Sequence, residues 1–284
     1  MSEALWVIMP VLGAEDLTDT AIADVLAQTI PVKLLIVNQG VETAFRERLE
    51  RIAEQYPDRI FLWSHVPPLP SLSASWNRAL RFVWETGGTE ALVVNNDVRL
   101  HPRTIHLLQY AKSYATQGTD APYFVTAVGV TEAQFDSQKD WAVMARDLFI
   151  NAEPVGDSLQ KGGPDFSCFL ISKEGHWKYP FDEKFIPAYA EDCDMHRRYM
   201  LSGDGEKIFS INLPYLHYAS GTLKSLDPDA RRHLEQQLGQ SRAYYARKWG
   251  GPVNGERWTI PFDASTDQAG VTNPELQRAI QATI

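Results

Sequence analysis

The sequence is short of the features that mark several classes of protein. It has two cysteines in 284 residues, which is too few for a disulfide framework or a cysteine-rich zinc site. No apolar run approaches the roughly 18 residues that a membrane span needs. The first residues also lack the basic and apolar segments of a secretory signal. We therefore expect a soluble protein of a reducing compartment, the cytoplasm, without a transmembrane segment.

Positive charge is scarce as well. The chain carries 27 lysines and arginines against 36 acidic residues, a formal net charge of −9. General nucleic-acid binding needs a basic footprint, so this balance disfavours that class. The composition that remains, with 44% hydrophobic and 22% charged residues, is typical of a folded domain and excludes a disordered, collagen-like or coiled-coil chain.

Strand and helix patterns alternate over roughly the first 115 residues. Short apolar runs predict buried strands at residues 5–9 (ended by Pro10), 32–37, 59–64 and 91–94. Helical spacing predicts helices at about 17–29 (with Asp16 as N-cap), 41–56, 71–85 and 102–116. This order predicts an α/β fold with a mostly parallel central sheet and helices on both faces.

The second half of the chain is less regular. We predict strands at residues 123–130, 166–172 and 207–212, and helices near 141–148, at 191–201 and at 228–249. Gly203 stands where a glycine commonly ends a helix, just after the segment 191–201.

Asn95-Asn96-Asp97 directly follow the fourth predicted strand. In an open parallel sheet, ligands bind outside the carboxyl ends of the strands, and a carboxylate there can hold a divalent metal. Taken alone, these residues are equally typical of a turn that ends a strand.

Acidic residues crowd the start of the helix at 191–201, as Glu191, Asp192 and Asp194. One interpretation is a cap stabilised by the helix dipole; the other is a general base aimed into a cleft. Asp194 and Arg197, three residues apart, are spaced to form an ion pair. His217, which we expect in a loop after a strand, is either a structural hydrogen-bonding residue or a ligand for a manganese-type metal.

The order of these segments resembles the family-2 GT-A glycosyltransferases, which are inverting enzymes that use nucleotide-sugar donors. The matching blocks, spread over about residues 5–225, are Val7-Ile8-Met9-Pro10, Ile36-Val37-Asn38-Gln39-Gly40, Ser71 to Ala79, Asn95-Asn96-Asp97, Phe181-Asp182-Glu183 followed by Glu191-Asp192-Cys193-Asp194, Arg197 and Gly203, and His217 with Ser220 and Thr222. The succession from Phe-Asp-Glu to Glu-Asp-x-Asp is the most specific of them.

The resemblance implies a role for each matching residue. The nucleotide-sugar would contact Pro10, Asn38, Ser75, Asn77, Asn95 and Asn96. Asp97 would bind Mn²⁺ or Mg²⁺ with His217 as a second ligand, Asp192 would be the general base, and Glu191 would contact the acceptor or orient the base. The family usually has an aspartate where Asn38 stands, and often two carboxylates in the metal motif. Its commonest donor is a UDP-sugar, although GDP- and dTDP-sugars are also used.

The resemblance also implies a domain organisation. Residues 1–225 would form the transferase domain, with a nucleotide-sugar-binding half at 1–117 and an acceptor and catalytic half at 118–225. Residues 226–284 would form a C-terminal helix and a tail that pack on it. The acceptor stays open among a glycan, a glycolipid, a protein and a modified nucleobase. The aromatic residues that could stack on a sugar ring, or equally fill the core, are Trp141, Phe149, Tyr189, Trp249 and Trp258.

Two other functions are compatible with an α/β sheet. A nucleotidyltransferase would need a glycine-rich, basic loop after the first strand, but residues 10–16 contain one glycine and no lysine or arginine. The other alternative is a non-catalytic nucleotide-sugar-binding or scaffold protein on the GT-A fold.

Overall fold

The computed structural model describes residues 4–40, 42–115, 123–130, 132–137, 153–154, 166–218 and 228–267. Its strands are β1 (Leu5–Val11), β2 (Val32–Asn38), β3 (Ile60–Ser64), β4 (Glu90–Val94), β5 (Val98–Arg99), β6 (Phe124–Val130), β7 (Glu153–Pro154), β8 (Cys168–Ser172) and β9 (Ile208–His217). Its helices are α1 (Glu15–Leu26), α2 (Thr43–Gln55), α3 (Leu72–Glu85), α4 (Thr104–Ala115), α5 (Glu132–Ser137), α6 (Lys173–Lys178), α7 (Glu191–Leu201) and α8 (Pro228–Trp249). The helix predicted near 141–148 lies outside the described residues.

The described strands form one mixed sheet. Its order is β3-β2-β1-β4-β8-β6-β9-β5, with β7 paired to β9. Strands β1 to β4 pair in parallel, as predicted. Strand β8 then runs antiparallel to both β4 and β6, and β6 pairs in parallel with β9. The α/β class is therefore confirmed, and the antiparallel strands belong to the less regular second half.

Helices cover both faces of the sheet, as predicted. In β1, Val7 and Met9 belong to an apolar cluster that includes residues of α1, α2 and α4. Trp6 and Ile8 belong to a second cluster with residues of α3 and α7. Because successive side chains of a strand point to opposite faces, these two clusters lie on opposite sides of the sheet.

Two predicted boundaries at the start of the chain are wrong. Pro10 lies inside β1, because the buried run continues through it to Val11 and keeps its register with β2. Helix α1 begins at Glu15 with Ala14 as its N-cap at φ +58°, so Asp16 lies in the first turn and is not the cap. Thr18 stabilises this start, since its hydroxyl donates to the carbonyl oxygens of Gly13 and Ala14.

Helix α8 packs against the segment that leads into α7. Tyr245 and Trp249 form an apolar cluster with Phe185 and Ala190, and the Ser241 hydroxyl donates to the carbonyl oxygen of Ile186 at 2.9 Å. None of the helices within the described ranges is both long enough and apolar enough to cross a membrane.

Candidate active site

The predicted metal ligands, Asp97 and His217, come together at the carboxyl end of β4. Strand β5 follows Asp97 directly and pairs antiparallel with the end of β9, with Val98 opposite His217. The backbone N–H of Tyr218 donates to the carbonyl oxygen of Asp97 at 3.0 Å. These contacts hold Asp97 Oδ1 3.4 Å from His217 Nε2. The fold thus joins two groups that lie 120 positions apart in the sequence.

His217 is the last residue of β9, so our placement of it in a loop is wrong. The strand continues past Leu213 because β6 pairs with residues 214–216 and β5 pairs with Leu216 and His217. The Ser167 hydroxyl oxygen lies 3.1 Å from His217 Nδ1 and 3.3 Å from its Nε2, so it holds one edge of the ring. An imidazole nitrogen beside a carboxylate oxygen is a donor set that suits Mn²⁺.

The residues around this pair fit a metal that is shared with a bound ligand. Asp97 is buried, with 5% of its surface exposed, and His217 is partly exposed. In the part of the chain that the structure describes, no group of three or more His, Cys, Asp or Glu side chains could hold a metal ion. The pair supplies two of the ligands that a six-coordinate ion would need, which leaves positions for oxygens of water or of a bound ligand.

Asn96 connects the end of β4 to the loop between β1 and α1. Its Nδ2 donates to the Gly13 carbonyl oxygen at 2.7 Å and to Thr18 Oγ1 at 2.8 Å. The neighbouring Asn95 binds through its backbone N–H to the Ser167 carbonyl oxygen at 2.9 Å. The Asn96 nitrogen is thus committed to holding this loop at the edge of the sheet.

Pro10 and Asn38 lie at the same edge, at the ends of β1 and β2. Asn38 Oδ1 accepts from the backbone N–H of Gly40 at 3.0 Å, and its Nδ2 donates to Ser64 Oγ at 3.3 Å. These bonds shape the turn after β2, in which Gly40 has φ +88°.

Ser75 and Asn77 lie on α3, where both side chains are buried. The Ser75 hydroxyl donates to the Ser71 carbonyl oxygen at 3.1 Å. Asn77 Nδ2 donates to the Phe181 carbonyl oxygen at 2.8 Å and to Glu183 Oε1 at 2.9 Å, while its Oδ1 accepts from the Phe181 N–H at 3.0 Å. A nucleotide could reach this amide only by displacing these bonds.

His176 completes the hydrogen bonding of Asn77. The indole N–H of Trp84, which can only donate, lies 2.9 Å from His176 Nδ1. The ring proton is therefore on Nε2, which donates to Asn77 Oδ1 at 3.0 Å. Burial, with a smaller contribution from Arg81, lowers the pKa of His176 to about 4, so this histidine is neutral and structural.

Helix α7 points its N-terminus at the carboxyl edge of the sheet. Helix α3 leads away from that edge, and its first N–H, from Leu72, donates to the Pro187 carbonyl oxygen at 2.8 Å. At the other end of α7, the ring of Tyr199 lies 6.2 Å from that of Tyr123, which directly precedes β6. The positive end of the helix dipole and the acids at residues 191–194 therefore lie at the same carboxyl edge of the sheet as Asp97.

The three acids of α7 have different surroundings. Asp194 is fully buried and accepts from Arg198 Nε and from Trp249 Nε1, both at 2.9 Å. Asp192 is partly exposed, and its Oδ1 accepts from the N–H of Cys193 at 2.7 Å. Of the acids in this group, Asp192 is thus the accessible one.

Glu191 is the third acid and has an unusual environment. It is 5% exposed, and its Oε2 has no hydrogen-bond partner among the described residues. Burial first, and then the charge of Asp192, raise the pKa of Glu191 to about 8. The carboxyl group is therefore mostly protonated at neutral pH.

The predicted ion pair of Asp194 with Arg197 is wrong. Asp194 pairs with Arg198, one turn further along the helix. The Arg197 side chain faces the C-terminal residues instead, where Nη2 donates to the Trp258 carbonyl oxygen at 2.7 Å and Nη1 lies 3.8 Å from Glu256 Oε2.

Comparison with solved structures identifies the fold. A mannosyltransferase from Pyrobaculum calidifontis, solved in complex with GDP-Man and Mn²⁺, matches with a TM-score of 0.56 at 16% identity over 98% of this chain and 73% of that one. Glucosyl-3-phosphoglycerate synthase from Mycobacterium tuberculosis matches with a TM-score of 0.54 at 17% identity, over 88% and 81% of the two chains. Residues 1–349 of TarS from S. aureus, in complex with UDP, match with a TM-score of 0.53 at 12% identity, over 86% and 72%.

The chain has the GT-A fold. No protein-family model matches the sequence, and no curated protein does. At these identities the structural likeness establishes the fold that the motifs predicted.

The C-terminal part of this GT-A chain supplies a buried cation to the acidic region. Lys248 Nζ lies 2.6 Å from Asp182 Oδ2 and 2.7 Å from Asp194 Oδ1. Burial raises the pKa of Asp182, but the hydrogen bond and charge of Lys248, with hydrogen bonds from the Lys184 N–H and the Tyr244 hydroxyl, together lower that pKa below its ordinary value. Helix α8 thereby connects Asp182, in the Phe-Asp-Glu block, to helix α7.

We expect Lys248→Met to lower the free energy of unfolding by about 3 kcal/mol, because it removes the buried cation that Asp182 and Asp194 share and leaves Asp194 with Arg198 alone. Urea unfolding measures the change. Lys184→Met, at an exposed site nearby, is the matched control and should change stability by less than about 0.5 kcal/mol. Equal effects of the two substitutions would contradict a structural role for the buried bridge.

The raised pKa of Glu191 has a consequence for stability. The folded protein favours the protonated carboxyl, so the contribution of Glu191 to the free energy of unfolding is complete below the unfolded pKa of 4.5. This contribution is lost as the pH rises through about 8. Glu191→Gln copies the neutral form. The melting temperature of the variant minus that of wild type should therefore increase from pH 5.5 to pH 8.5. Glu54→Gln, at an exposed position of α2, should show no such trend. A constant difference across this range would show that Glu191 is already charged at neutral pH.

The aromatic residues predicted as candidates to stack on a sugar ring differ in their surroundings. Trp249 is 1% exposed and belongs to the core cluster under α8. The ring of Trp258 packs against the backbone of Gly250. Tyr189, just before α7, is 37% exposed and is the most exposed of these three residues. Trp141, Phe149, Ser220 and Thr222 lie outside the described residues.

Sequence reasoning did not select Ser167 or Lys248. Ser167 contacts His217 from the loop before β8, and Lys248 reaches the acids of α7 from α8. Nothing in the spacing of the sequence links either residue to its partner. The contacts arise from the antiparallel strands and from helix packing, which depend on the three-dimensional fold.

Proposed function

We propose that this protein is a metal-dependent glycosyltransferase that moves a sugar from a nucleotide-diphosphate donor to an acceptor hydroxyl, with inversion at the sugar carbon. The observation that carries the proposal is the contact of the buried Asp97 with the partly exposed His217 at the carboxyl edge of a GT-A sheet. The structural neighbours that were solved with UDP or with GDP-Man and Mn²⁺ support a nucleotide-sugar donor, and a UDP-sugar is our first candidate.

Asp97 and His217 would hold Mn²⁺ or Mg²⁺, with Ser167 fixing the direction of the imidazole. Such an ion, when bound, stabilises the negative charge that develops on a diphosphate leaving group. The loop between β1 and α1, fixed by Asn96, and the turn after β2, shaped by Asn38, would form the walls of the donor site. Asn95 and Pro10 lie at the same edge, and Ser75 and Asn77 would support the site from α3.

Asp192 would be the general base. A hydroxyl is too weakly acidic to attack as an anion, so a carboxylate must take its proton as the new bond forms on the face opposite the leaving group. Asp192 is the accessible acid of α7 and lies at the same carboxyl edge of the sheet as Asp97. Glu191, protonated at neutral pH, would donate a hydrogen bond to the acceptor or orient the base.

We propose the following organisation for this reaction. Residues 1–117 bind the nucleotide-sugar, residues 118–225 carry the acid groups and receive the acceptor, and residues 226–284 pack on this domain through α8. We place the enzyme in the cytoplasm. The acceptor is a glycan, a glycolipid, a protein or a modified nucleobase.

A thermal-shift and hydrolysis screen tests the proposal. UDP-, GDP- and dTDP-sugars are each added with Mn²⁺ and with a chelator. We expect at least one of them to raise the melting temperature only with metal and to be hydrolysed slowly without acceptor. Stabilisation without any hydrolysis or transfer would favour the non-catalytic binding protein, and no stabilisation by any donor would contradict both functions.

A further inference from the structure

We propose that Asp24, on helix α1, is a positioning residue that holds Asp97 beside His217. It acts through Arg99 and strand β5, and not as a ligand of the metal. Asp24 lies 75 positions before Arg99 in the sequence, in a different element from either proposed ligand. The inference rests on the proposed metal site and identifies what sets the geometry of that site.

Strand β5 is the element of the site that most needs support. It consists of two residues, Val98 and Arg99, whereas strands are usually about 3–10 residues long. In the sheet as described it is the terminal strand and pairs with β9 alone. Yet it fixes Asp97, which directly precedes it, against His217, which lies opposite Val98. Contacts from outside the sheet are therefore needed to hold the two proposed ligands together.

Asp24 supplies such contacts at the end of β5. Its Oδ2 accepts from Arg99 Nε at 2.7 Å and from the backbone N–H of Leu100 at 3.0 Å. The Asp24 side chain is 16% exposed and that of Arg99 is 35% exposed, so water screens this pair only in part. Hydrogen bonds between charged groups are roughly twice as strong as neutral ones. One carboxylate thus holds both a side chain and a backbone group of the segment after Asp97.

Helix α1 is attached to the same segment at two further points. Before the proposed metal-binding aspartate, Asn96 Nδ2 donates to Thr18 Oγ1 near the start of α1, at 2.8 Å. After β5, Gln28 Nε2 donates to the carbonyl oxygen of His101 at 2.7 Å. The helix therefore runs beside residues 96–101, and the aspartate lies between its attachments.

Arg99 also connects Asp24 to the histidine. The side chain of Tyr218, which directly follows His217, hydrogen-bonds to the Arg99 guanidinium. The backbone N–H of Tyr218 donates to the Asp97 carbonyl oxygen at 3.0 Å. A shift of Arg99 would therefore change the separation of 3.4 Å between Asp97 Oδ1 and His217 Nε2. Contacts that orient metal ligands from outside typically account for about 10–100-fold in metal affinity.

Mn²⁺ binding to the full chain tests the inference, with the free ion measured by electron paramagnetic resonance. The titration is made with the metal alone, with UDP and with GDP. Asp24→Asn keeps the shape of the side chain but removes the charge that holds Arg99, and Arg99→Gln removes the guanidinium. Each should weaken Mn²⁺ binding by about tenfold, while nucleotide binding in the presence of a chelator stays near that of wild type.

The two substitutions change the charge near the metal in opposite directions. If these residues acted on the ion only through their charges, Asp24→Asn would weaken its binding and Arg99→Gln would strengthen it. A positioning role predicts that both substitutions weaken it. Asp16→Asn, at an exposed acid of the same helix, makes the same charge change as Asp24→Asn and should alter Mn²⁺ binding by less than about twofold, because exposed charges are screened.

The inference is overturned if either site variant, shown to be folded by its melting temperature, binds Mn²⁺ at least as tightly as wild type. It is also overturned if the variants lose nucleotide affinity to the same degree with the chelator present, since the loss would then not concern the metal. If wild type binds no Mn²⁺, alone or with either nucleotide, the proposed metal-dependent function fails as well.

Discussion

Asp97→Asn should abolish the effect of Mn²⁺ on donor binding and lower kcat/KM by about 10³-fold, because losing the metal removes several kcal/mol of stabilisation from the diphosphate leaving group. Asparagine has nearly the same shape as aspartate and keeps the backbone bond to Tyr218. It offers one neutral oxygen in place of the carboxylate beside His217. The loss should therefore appear in metal dependence and leave the fold intact.

A titration of Mn²⁺ against the melting temperature, at a fixed concentration of donor, measures this directly. Asp58→Asn, an exposed carboxylate between α2 and β3, should behave as wild type. His217→Gln should weaken the metal response in the same direction, since it removes the other proposed ligand. A metal-dependent shift that survives in Asp97→Asn would place the ion elsewhere.

The second large effect is expected at Asp192. Asp192→Asn should lower kcat by 10²–10⁴-fold, the usual contribution of a general base, while the affinity for donor and metal stays near that of wild type. The effects of Asp192→Asn and Asp97→Asn should differ, because Asp192 is accessible at the start of α7 and Asp97 is buried at the end of β4.

Steady-state kinetics over a range of pH provides the readout. The acidic limb of the wild-type profile, which reports protonation of the base, should disappear in Asp192→Asn. Asp229→Asn is the control, since Asp229 is an exposed acid in the first turn of α8. If Asp192→Asn keeps full turnover, the base is another group, and Glu191 would be the next residue to test.

Much of the fold could be predicted because the signals are local. Helix α7 has its predicted bounds of 191 and 201 and is followed by Gly203 at φ +81°. Helix α8 has its predicted bounds of 228 and 249. In both, the polar and apolar spacing and the flanking glycine or proline agree. The parallel strands β1 to β4 were predicted for the same reason, since each is a short apolar run between helical patterns.

The parts that could not be predicted depend on contacts between distant segments. Strand β9 continues to His217 because β6 and β5 lie on its two sides there, and no property of residues 213–217 reveals these partners. Asp194 and Arg197 had suitable spacing for an ion pair, yet Arg197 donates instead to the carbonyl oxygen of Trp258. Gln39 lay inside a recognised motif, but the hydrogen bond that its side-chain oxygen accepts comes from the N–H of Leu69, in the loop before α3.

The bridge through Lys248 also bears on how the chain matures during synthesis. Strands β1, β2, β3 and β4 are complete at residue 94, so their carboxyl edge can form early as the chain emerges N-terminus first. Asp182 and Asp194 share Lys248 as a cation, and Lys248 is synthesised more than 50 residues after Asp194. His217 joins Asp97 before that cation is made, so helix α7 is the last element of the proposed site to be secured.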